Sequence, residues 1–192
     1  MKCTMFIAAA AMAISAADAA TTYEGNGQVA PQFVLSGKAA DRLHEHYAVN
    51  LETAEKLVAA CQAIARRSNS AVVTVVVDPQ GLTVLESRMD GLGYLPTKAT
   101  EQKTLTALRT RAPSHVLTNR NAQDPFTNQN MTGYALSTNN GALPIIANGQ
   151  LIGAMGAGGI GSAKAEEGCV HGALEQVIGP QPPLLADVPL RR

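Results

Sequence analysis

The fold is decided by residues 71–88, which read AVVTVVVDPQGLTVLESR. Residues 72–77 are all β-branched and do not alternate between apolar and polar, which is typical of a strand covered on both faces. Residues 78–81 then place Pro and Gly in the positions that a tight turn favours. Residues 82–88 resume the strand pattern. The stretch therefore predicts a β-hairpin whose first strand is buried.

A helix is predicted on the N-terminal side of this hairpin. Asn50 or Thr53 can cap its start, and the basic pair Arg66–Arg67 lies near its negative end, where cations are favoured. The apolar residues between these ends recur at three- and four-residue spacing, so they form one stripe. They are Leu51, Ala54, Leu57, Val58, Cys61, Ile64 and Ala65.

On the C-terminal side, Gly91 and Gly93 interrupt the chain, and a second helix is predicted from about Thr97 to Arg111. Its composition is unusual, because it contains five threonines, which are poor helix formers. Residues 112–140 are rich in Asn, Thr, Gln, Pro and Ser, and we expect a long surface loop. Long loops in compact domains are often functional.

The last third of the chain predicts a second hairpin and a final helix. Residues 142–147 and 150–156 read as short strands, and Asn148–Gly149 between them is a strong hairpin-turn signal. Ser162 can cap a helix over residues 163–178, which Gly179–Pro180 ends. The order helix, hairpin, helix, loop, hairpin, helix predicts an α+β fold with an antiparallel sheet and helices on its faces.

The first residues read as a signal peptide. A positive start, Met1–Lys2, precedes an apolar run at residues 6–17, and Ala17–Asp18–Ala19 has the small-x-small cleavage pattern. The run is shorter than the roughly 20 apolar residues that span a bilayer. A buried alanine helix is the alternative. We expect a signal peptide at 1–19, an N-terminal arm at 20–49, one domain at 50–179 and a Pro-rich tail at 180–192.

We expect the mature protein to be periplasmic or secreted and free of the membrane after cleavage. Composition and charge limit the classes of molecule that it can bind. The chain has 192 residues with 15 basic and 15 acidic side chains, and it contains no basic block. This argues against nucleic acid as a partner, because phosphate binding needs clustered Lys and Arg. Export implies an oxidising compartment. Cys61 and Cys169 either pair there or remain two buried thiols.

The glycine-rich segment invites a nucleotide-binding interpretation. Gly156, Gly158 and Gly161 match GxGxxG between a strand and a helix, but no further βα unit or acidic residue on a second strand follows. A tight turn whose N–H groups hold a carboxylate fits better, and turn geometry without a ligand fits equally well. No hydrolase triad emerges, because the chain has no GxSxG and neither cysteine has a nucleophile's surroundings.

The candidate metal ligands are His44, His46, His115 and His171. The first two lie close together on the arm, yet two ligands are a weak signal, and solvated histidines are the favoured alternative. The other two are isolated, and either could ligate haem iron. An ExxE pair, Glu52 and Glu55, could bind iron. Acidic residues in a first helical turn are equally expected from the helix dipole alone.

Five motifs occur in a specific order along the chain. They are LETAEKL at 51–57, VVVD at 75–78 with a glycine at 81, RMDG at 88–91, Lys103 with Thr106–Ala107, and GALPIIANGQLIGAMGAGG at 141–159. In this order they resemble the GlcG/HbpS-like family, which includes haem-binding extracellular proteins and the C-terminal domain of PduO-type proteins. The resemblance covers most of the chain after the arm.

The resemblance implies a profilin-like fold, a three-layer α/β/α arrangement with a central antiparallel sheet. It places the first and last helices side by side, which supports pairing of Cys61 with Cys169. It also implies homo-oligomers, often octamers, and in some members a haem or cobalamin-related ligand.

The matching motifs also suggest a ligand site. Arg88, Asp90 and Lys103 are their charged residues, and the turn at Gly158 and Gly159 would face the same pocket. There Lys103 and Arg88 would meet ligand carboxylates while Asp90 orients them. A structural network that holds the turn is the alternative. Where the family usually has an Asp shortly after the glycines, the best counterpart in this chain is Glu166, about two residues later.

Three functions follow from these features. The leading hypothesis is an exported haem or tetrapyrrole-binding protein that acts as a carrier or sensor accessory. The second is an enzyme or accessory protein for a small carboxylate or aromatic catabolite, with Asp90, Lys103 or Glu166 as acid or base. The third is a structural oligomer without a ligand. The sequence offers no nucleophile–base pair that would support the enzyme hypothesis.

Overall fold

The computed structural model describes residues 47–122, 124–137 and 139–184. The expected signal peptide, the two arm histidines His44 and His46, and the end of the tail lie outside these residues, so those expectations stay predictions. In chain order the elements are α1 Leu51–Arg67, β1 Val73–Val77, β2 Thr83–Arg88, α2 Tyr94–Thr110, α3 Ser114–Asn121, α4 Pro125–Gly133, β3 Ala142–Ala147, β4 Gln150–Gly158 and α5 Ala163–Val177.

The four strands form one antiparallel sheet in the order β2-β1-β4-β3. Every residue of β1 is buried, which is what its unbroken β-branched sequence predicted. Val72 and Val76 pack into one core cluster, and Val73, Val75 and Val77 pack into another. The sheet thus separates two cores. The predicted α+β, profilin-like arrangement is confirmed.

The larger core lies between the sheet and the two helices α1 and α5. Leu57 and Ala65 of α1 and Leu174 of α5 are buried in this cluster. A disulfide joins Cys61 to Cys169 across the two helices, with a Cα–Cα distance of 5.2 Å. It closes a chain segment with a sequence separation of 108 residues. Long loops are the ones whose closure stabilises a fold most in the chain-entropy description.

Helix α2 covers the opposite face of the sheet through its threonines. A Cβ added to Gly156 or Gly158 would overlap the Oγ1 of Thr104 or Thr100, so glycine is required on β4 for this helix to approach. The Thr104 hydroxyl donates to the Thr100 carbonyl at 2.6 Å, and the Thr100 hydroxyl donates to the Pro96 carbonyl at 2.7 Å. Close packing therefore offsets the poor helix propensity of threonine.

Two expectations about local structure were wrong. Residues 112–140 are not a single loop, because they contain the helices α3 and α4. The side chains that α3 buries are mostly polar, Ser114, His115 and Asn121 beside Leu117, so no apolar stripe revealed it. Helix α2 begins at Tyr94, ahead of Pro96, because the first turn of a helix accepts proline. No helix in the described part of the chain is long and apolar enough to cross a membrane.

Candidate functional site

A buried ion pair connects the two helical layers. Lys103, in the middle of α2, contacts Glu166, in the first turn of α5, with an Nζ–Oε2 distance of 2.6 Å. The two side chains are 3% and 16% exposed. The other carboxylate oxygen of Glu166 accepts a hydrogen bond from the Gly159 N–H at 2.7 Å. The glycine turn therefore does hold a carboxylate, and it is the chain's own.

A cavity of about 240 Å³ opens beside this pair. Desolvation lowers the pKa of the Lys103 amine from its ordinary value of 10.5, and the attraction of Glu166 offsets this only in part. Asn140 also lines the cavity, and its Oδ1 is buried without a hydrogen-bond partner in the described residues. The residues that line the cavity thus include a buried cation and an amide whose oxygen is unsatisfied. Its lining residues are Pro96, Ala99, Lys103, Asn139, Asn140, Gly158, Gly159, Ala163 and Glu166.

A second buried pair lies next to the first. His115 of α3 is hydrogen-bonded through Nδ1 to Glu167 Oε1 at 2.6 Å, and both residues are buried. The adjacent residues Glu166 and Glu167 thus contact two different basic side chains. The charge of Glu167 also raises the pKa of Lys103. His115 Nε2 is buried and has no partner within the described residues.

Arg88 and Asp90 do not join Lys103. Arg88 lines a separate shallow pocket with Tyr94, and its guanidinium donates to the Leu92 carbonyl. Asp90 is exposed. The sheet order explains the separation, because β1 stands between Arg88 on β2 and Gly158 on β4. Arg88 and Gly158 are therefore two strand spacings apart, which is about 10 Å. Lys103, Gly158, Gly159 and Glu166 are the candidate residues that the fold brings together.

An apolar groove of about 420 Å³ lies on another part of the surface. His171 of α5 lines it, and the ring Nε2–H donates to the Pro182 carbonyl at 2.8 Å. The other ring nitrogen, Nδ1, lies 3.5 Å from Glu175 Oε2, one helical turn further along α5. Among the groove's lining residues that the structure describes, Arg111 is the one lysine or arginine. The rest are Pro113, Leu143, Pro144, Ile146, Leu174, Pro180, Gln181, Pro182, Pro183 and Leu184.

The predicted ExxE pair does not form a metal cluster. Glu52 and Glu55 are both exposed, and Glu52 is paired with Lys56 at 2.7 Å. The hydrogen bond from Lys56 lowers the pKa of Glu52. Within the residues that the structure describes, no group of three or more His, Cys, Asp or Glu side chains is placed to hold a metal ion.

The glutamate pair was only half predicted. Glu166 was identified as the counterpart of a family Asp, whereas Glu167 and Asn140 were not singled out. A usable signal was present, because two adjacent acidic residues near the start of a helix point in directions about 100° apart. Each can therefore contact a different neighbouring element.

Comparison with known proteins agrees with this architecture. The family model described as "Haem degrading protein HbpS-like" matches residues 49–175. The chain belongs to the HbpS-like family. A relative from Citrobacter freundii, the "Uncharacterized 15.0 kDa protein in dhaT-dhaS intergenic region", is 34% identical over 119 residues, which is 58% of this chain and 80% of the relative.

Solved structures of similar proteins share the fold. Klebsiella pneumoniae protein ORFY superposes with a TM-score of 0.65 and 27% identity over 77% of this chain and 100% of its own. HbpS gives a TM-score of 0.66 and 26% identity over 75% of this chain and 98% of its own. A PduOC–haem complex gives 0.61 and 21% identity over 66% of this chain and 93% of its own, and at that identity it supports the fold alone.

Proposed function

We propose that this HbpS-like protein binds haem or a related tetrapyrrole in the apolar groove beside His171, and that it acts after export as a carrier or sensor accessory. The observation that carries the proposal is the groove itself, which has a volume of about 420 Å³ and is lined mostly by apolar residues, with one histidine and one arginine. An apolar surface can hold the macrocycle of haem, a histidine is one of the side chains that ligate its iron, and a cation can pair with its carboxylates. The description of the family points to the same ligand class.

The surroundings of His171 fit an iron ligand. Metal-binding histidines usually donate the second ring N–H to a carboxylate, which orients the ring. Glu175 lies 3.5 Å from His171 Nδ1 and can accept such a bond. The Nε2 atom would have to exchange its contact with the Pro182 carbonyl for the iron. Arg111 would pair with a propionate. When bound, haem would supply redox and ligand-binding chemistry, while the groove excludes water from one face.

The buried histidine, His115, fits less well. It is 3% exposed and lies on the buried face of α3, so a macrocycle cannot reach Nε2 without rearrangement of the helix. The cavity at Lys103, about 240 Å³, is below the roughly 300–1,000 Å³ of sites that enclose drug-sized ligands. Haem therefore does not fit inside it.

The test is an absorbance titration of the purified mature protein with haemin. We expect a saturable, sharp Soret band at a fixed stoichiometry per subunit. His171→Ala should abolish the sharp band, His171→Met should retain an iron ligand with a shifted spectrum, and Arg111→Ala should weaken binding. Lys103→Met is the matched control outside the groove and should leave the titration unchanged.

Three outcomes would contradict parts of this proposal. A broad change that never saturates would mean nonspecific adsorption and would refute haem binding. A Soret band unaffected by His171→Ala and Arg111→Ala but lost on replacing His44 and His46 would place the iron on the arm. A Soret band that is lost only in Lys103→Met would indicate that haem binds beside the buried pair of Lys103 and Glu166.

A further inference from the structure

We propose that Lys103 is a carbonyl-reactive amine, and that its cavity takes a small aldehyde or ketone which the lysine binds as an iminium adduct. This site is the cavity between α2 and the first turn of α5, and it shares no lining residue with the groove at His171. The inference therefore does not depend on haem binding.

Lys103 differs from the other lysines that the structure describes. Lys56 and Lys98 have side chains that are 62% and 48% exposed, and Lys164 is also exposed. The Lys103 side chain is 3% exposed and yet lines a cavity. A buried amine beside an open volume is sterically selective, because only a small molecule reaches it. The cavity, at about 240 Å³, has room for a small molecule.

Burial also favours the reactive form of the amine. Only a neutral amine attacks a carbonyl, and desolvated lysines are the ones that proteins use for Schiff bases. Desolvation lowers the pKa of Lys103, whereas the hydrogen bond to Glu101 raises the pKa of Lys98. Near neutral pH a larger fraction of Lys103 is therefore neutral than of the exposed lysine one turn earlier on the same helix.

Glu166 is placed to move the protons that the reaction requires. Its Oε2 lies 2.6 Å from Nζ, so it can accept a proton from the ammonium group and leave the amine neutral. The Nζ lone pair then bonds to the carbonyl carbon. The carbonyl oxygen takes one proton from Nζ and one from Glu166, and it leaves as water. The ammonium and the carbonyl thus become an iminium and one water, with no oxidant or reductant consumed.

A further polar group indicates a preference among carbonyl compounds. Asn140 lines the cavity, and its Oδ1 is buried without a hydrogen-bond partner in the described residues. An unpaired buried acceptor is costly, so a ligand that donates to it gains affinity. A hydroxyl group on the aldehyde would supply this bond. We therefore expect small hydroxyaldehydes to react better than their unsubstituted analogues.

The experiment traps the adduct on the native protein at pH 7 with acetaldehyde and cyanoborohydride, which reduces an iminium to a stable N-ethyl lysine. Peptide mass spectrometry then gives the site. We expect ethylation of Lys103 in excess of Lys98, faster labelling with glycolaldehyde than with acetaldehyde, and none at Lys103 with 1-pyrenecarboxaldehyde, which is too large for the cavity. Lys103→Arg should lose the adduct, and Lys98→Arg should retain it.

The wild-type peptide map decides the question even if Lys103→Arg fails to fold. Ethylation confined to Lys56, Lys98 and Lys164 would overturn the proposal, and so would labelling of Lys103 that appears only after denaturation. Equal labelling by the pyrene aldehyde would refute the role of the cavity. His171→Ala should trap acetaldehyde normally, which separates this result from that of the haemin titration.

Discussion

Replacing Glu166 by Gln tests whether the buried pair with Lys103 holds α2 to α5. Glutamine keeps the shape of the side chain and an oxygen for the Gly159 N–H, but it removes the charge that faces the ammonium group. Breaking a buried ion pair costs about 3–5 kcal/mol, because one charge stays buried without its partner. Glu166 is 16% exposed, so water offsets part of this loss. We expect a decrease of about 3 kcal/mol in the free energy of unfolding at pH 7.

The pH dependence of this decrease has a definite sign. Burial holds the pKa of Lys103 in the folded protein below 10.5, so the unfolded chain binds the proton more tightly and stability rises with pH up to 10.5. The contact with Glu166 raises the folded-state pKa, so Glu166→Gln lowers it further. The deficit of the variant is therefore largest near neutral pH, and it disappears once Lys103 is neutral in both folded proteins.

Urea denaturation followed by circular dichroism, with the disulfide intact, measures both effects at pH 7 and pH 10. Glu101→Gln is the matched control, because it removes the half-buried carboxylate that pairs with the exposed Lys98 on the same helix. Solvent screens such a pair, so we expect no resolvable change. An equal loss in the two variants, or a Glu166→Gln deficit that does not shrink at pH 10, would refute the reasoning.

Three further predictions concern the scaffold. Replacing Cys61 and Cys169 together by Ala should lower the free energy of unfolding by up to about 5 kcal/mol, since the disulfide closes a long loop. A chemical denaturation curve that does not shift would contradict this expectation. Gly156→Ala should lower the free energy of unfolding by about 1–3 kcal/mol, because the added methyl group overlaps the Thr104 hydroxyl. In a double-mutant cycle, Thr104→Ala in the same chain should recover part of that loss, and additive effects of the two substitutions would refute the contact. Ser162→Ala should cost about 1 kcal/mol and Ser162→Gly a few tenths, because the hydroxyl caps α5 at the Ala165 N–H, and equal melting temperatures for the two variants would argue against the cap.

The sequence by itself determined the order of most helices and strands. Residues 72–77 carry a β-branched pattern that is typical of a strand covered on both faces, and the stripe from Leu51 to Ala65 has the spacing of a helix. Turn signals at residues 78–81 and at Asn148–Gly149 then fixed two hairpins. These features are local, so a few neighbouring residues suffice to predict them. Helix α3 escaped the same method because the face it buries is mostly polar.

Only the tertiary structure decided the site. Lys103 and Glu166 are 63 residues apart, and no spacing rule connects them. Their contact depends on α2 lying close to β4, which in turn depends on the absence of side chains at Gly156 and Gly158. Arg88 and Asp90 share a motif with each other but are separated from Lys103 by the order of the strands. Charge–charge contacts and cavities depend on how segments that are far apart in the sequence pack together. Local sequence patterns carry no information about that packing.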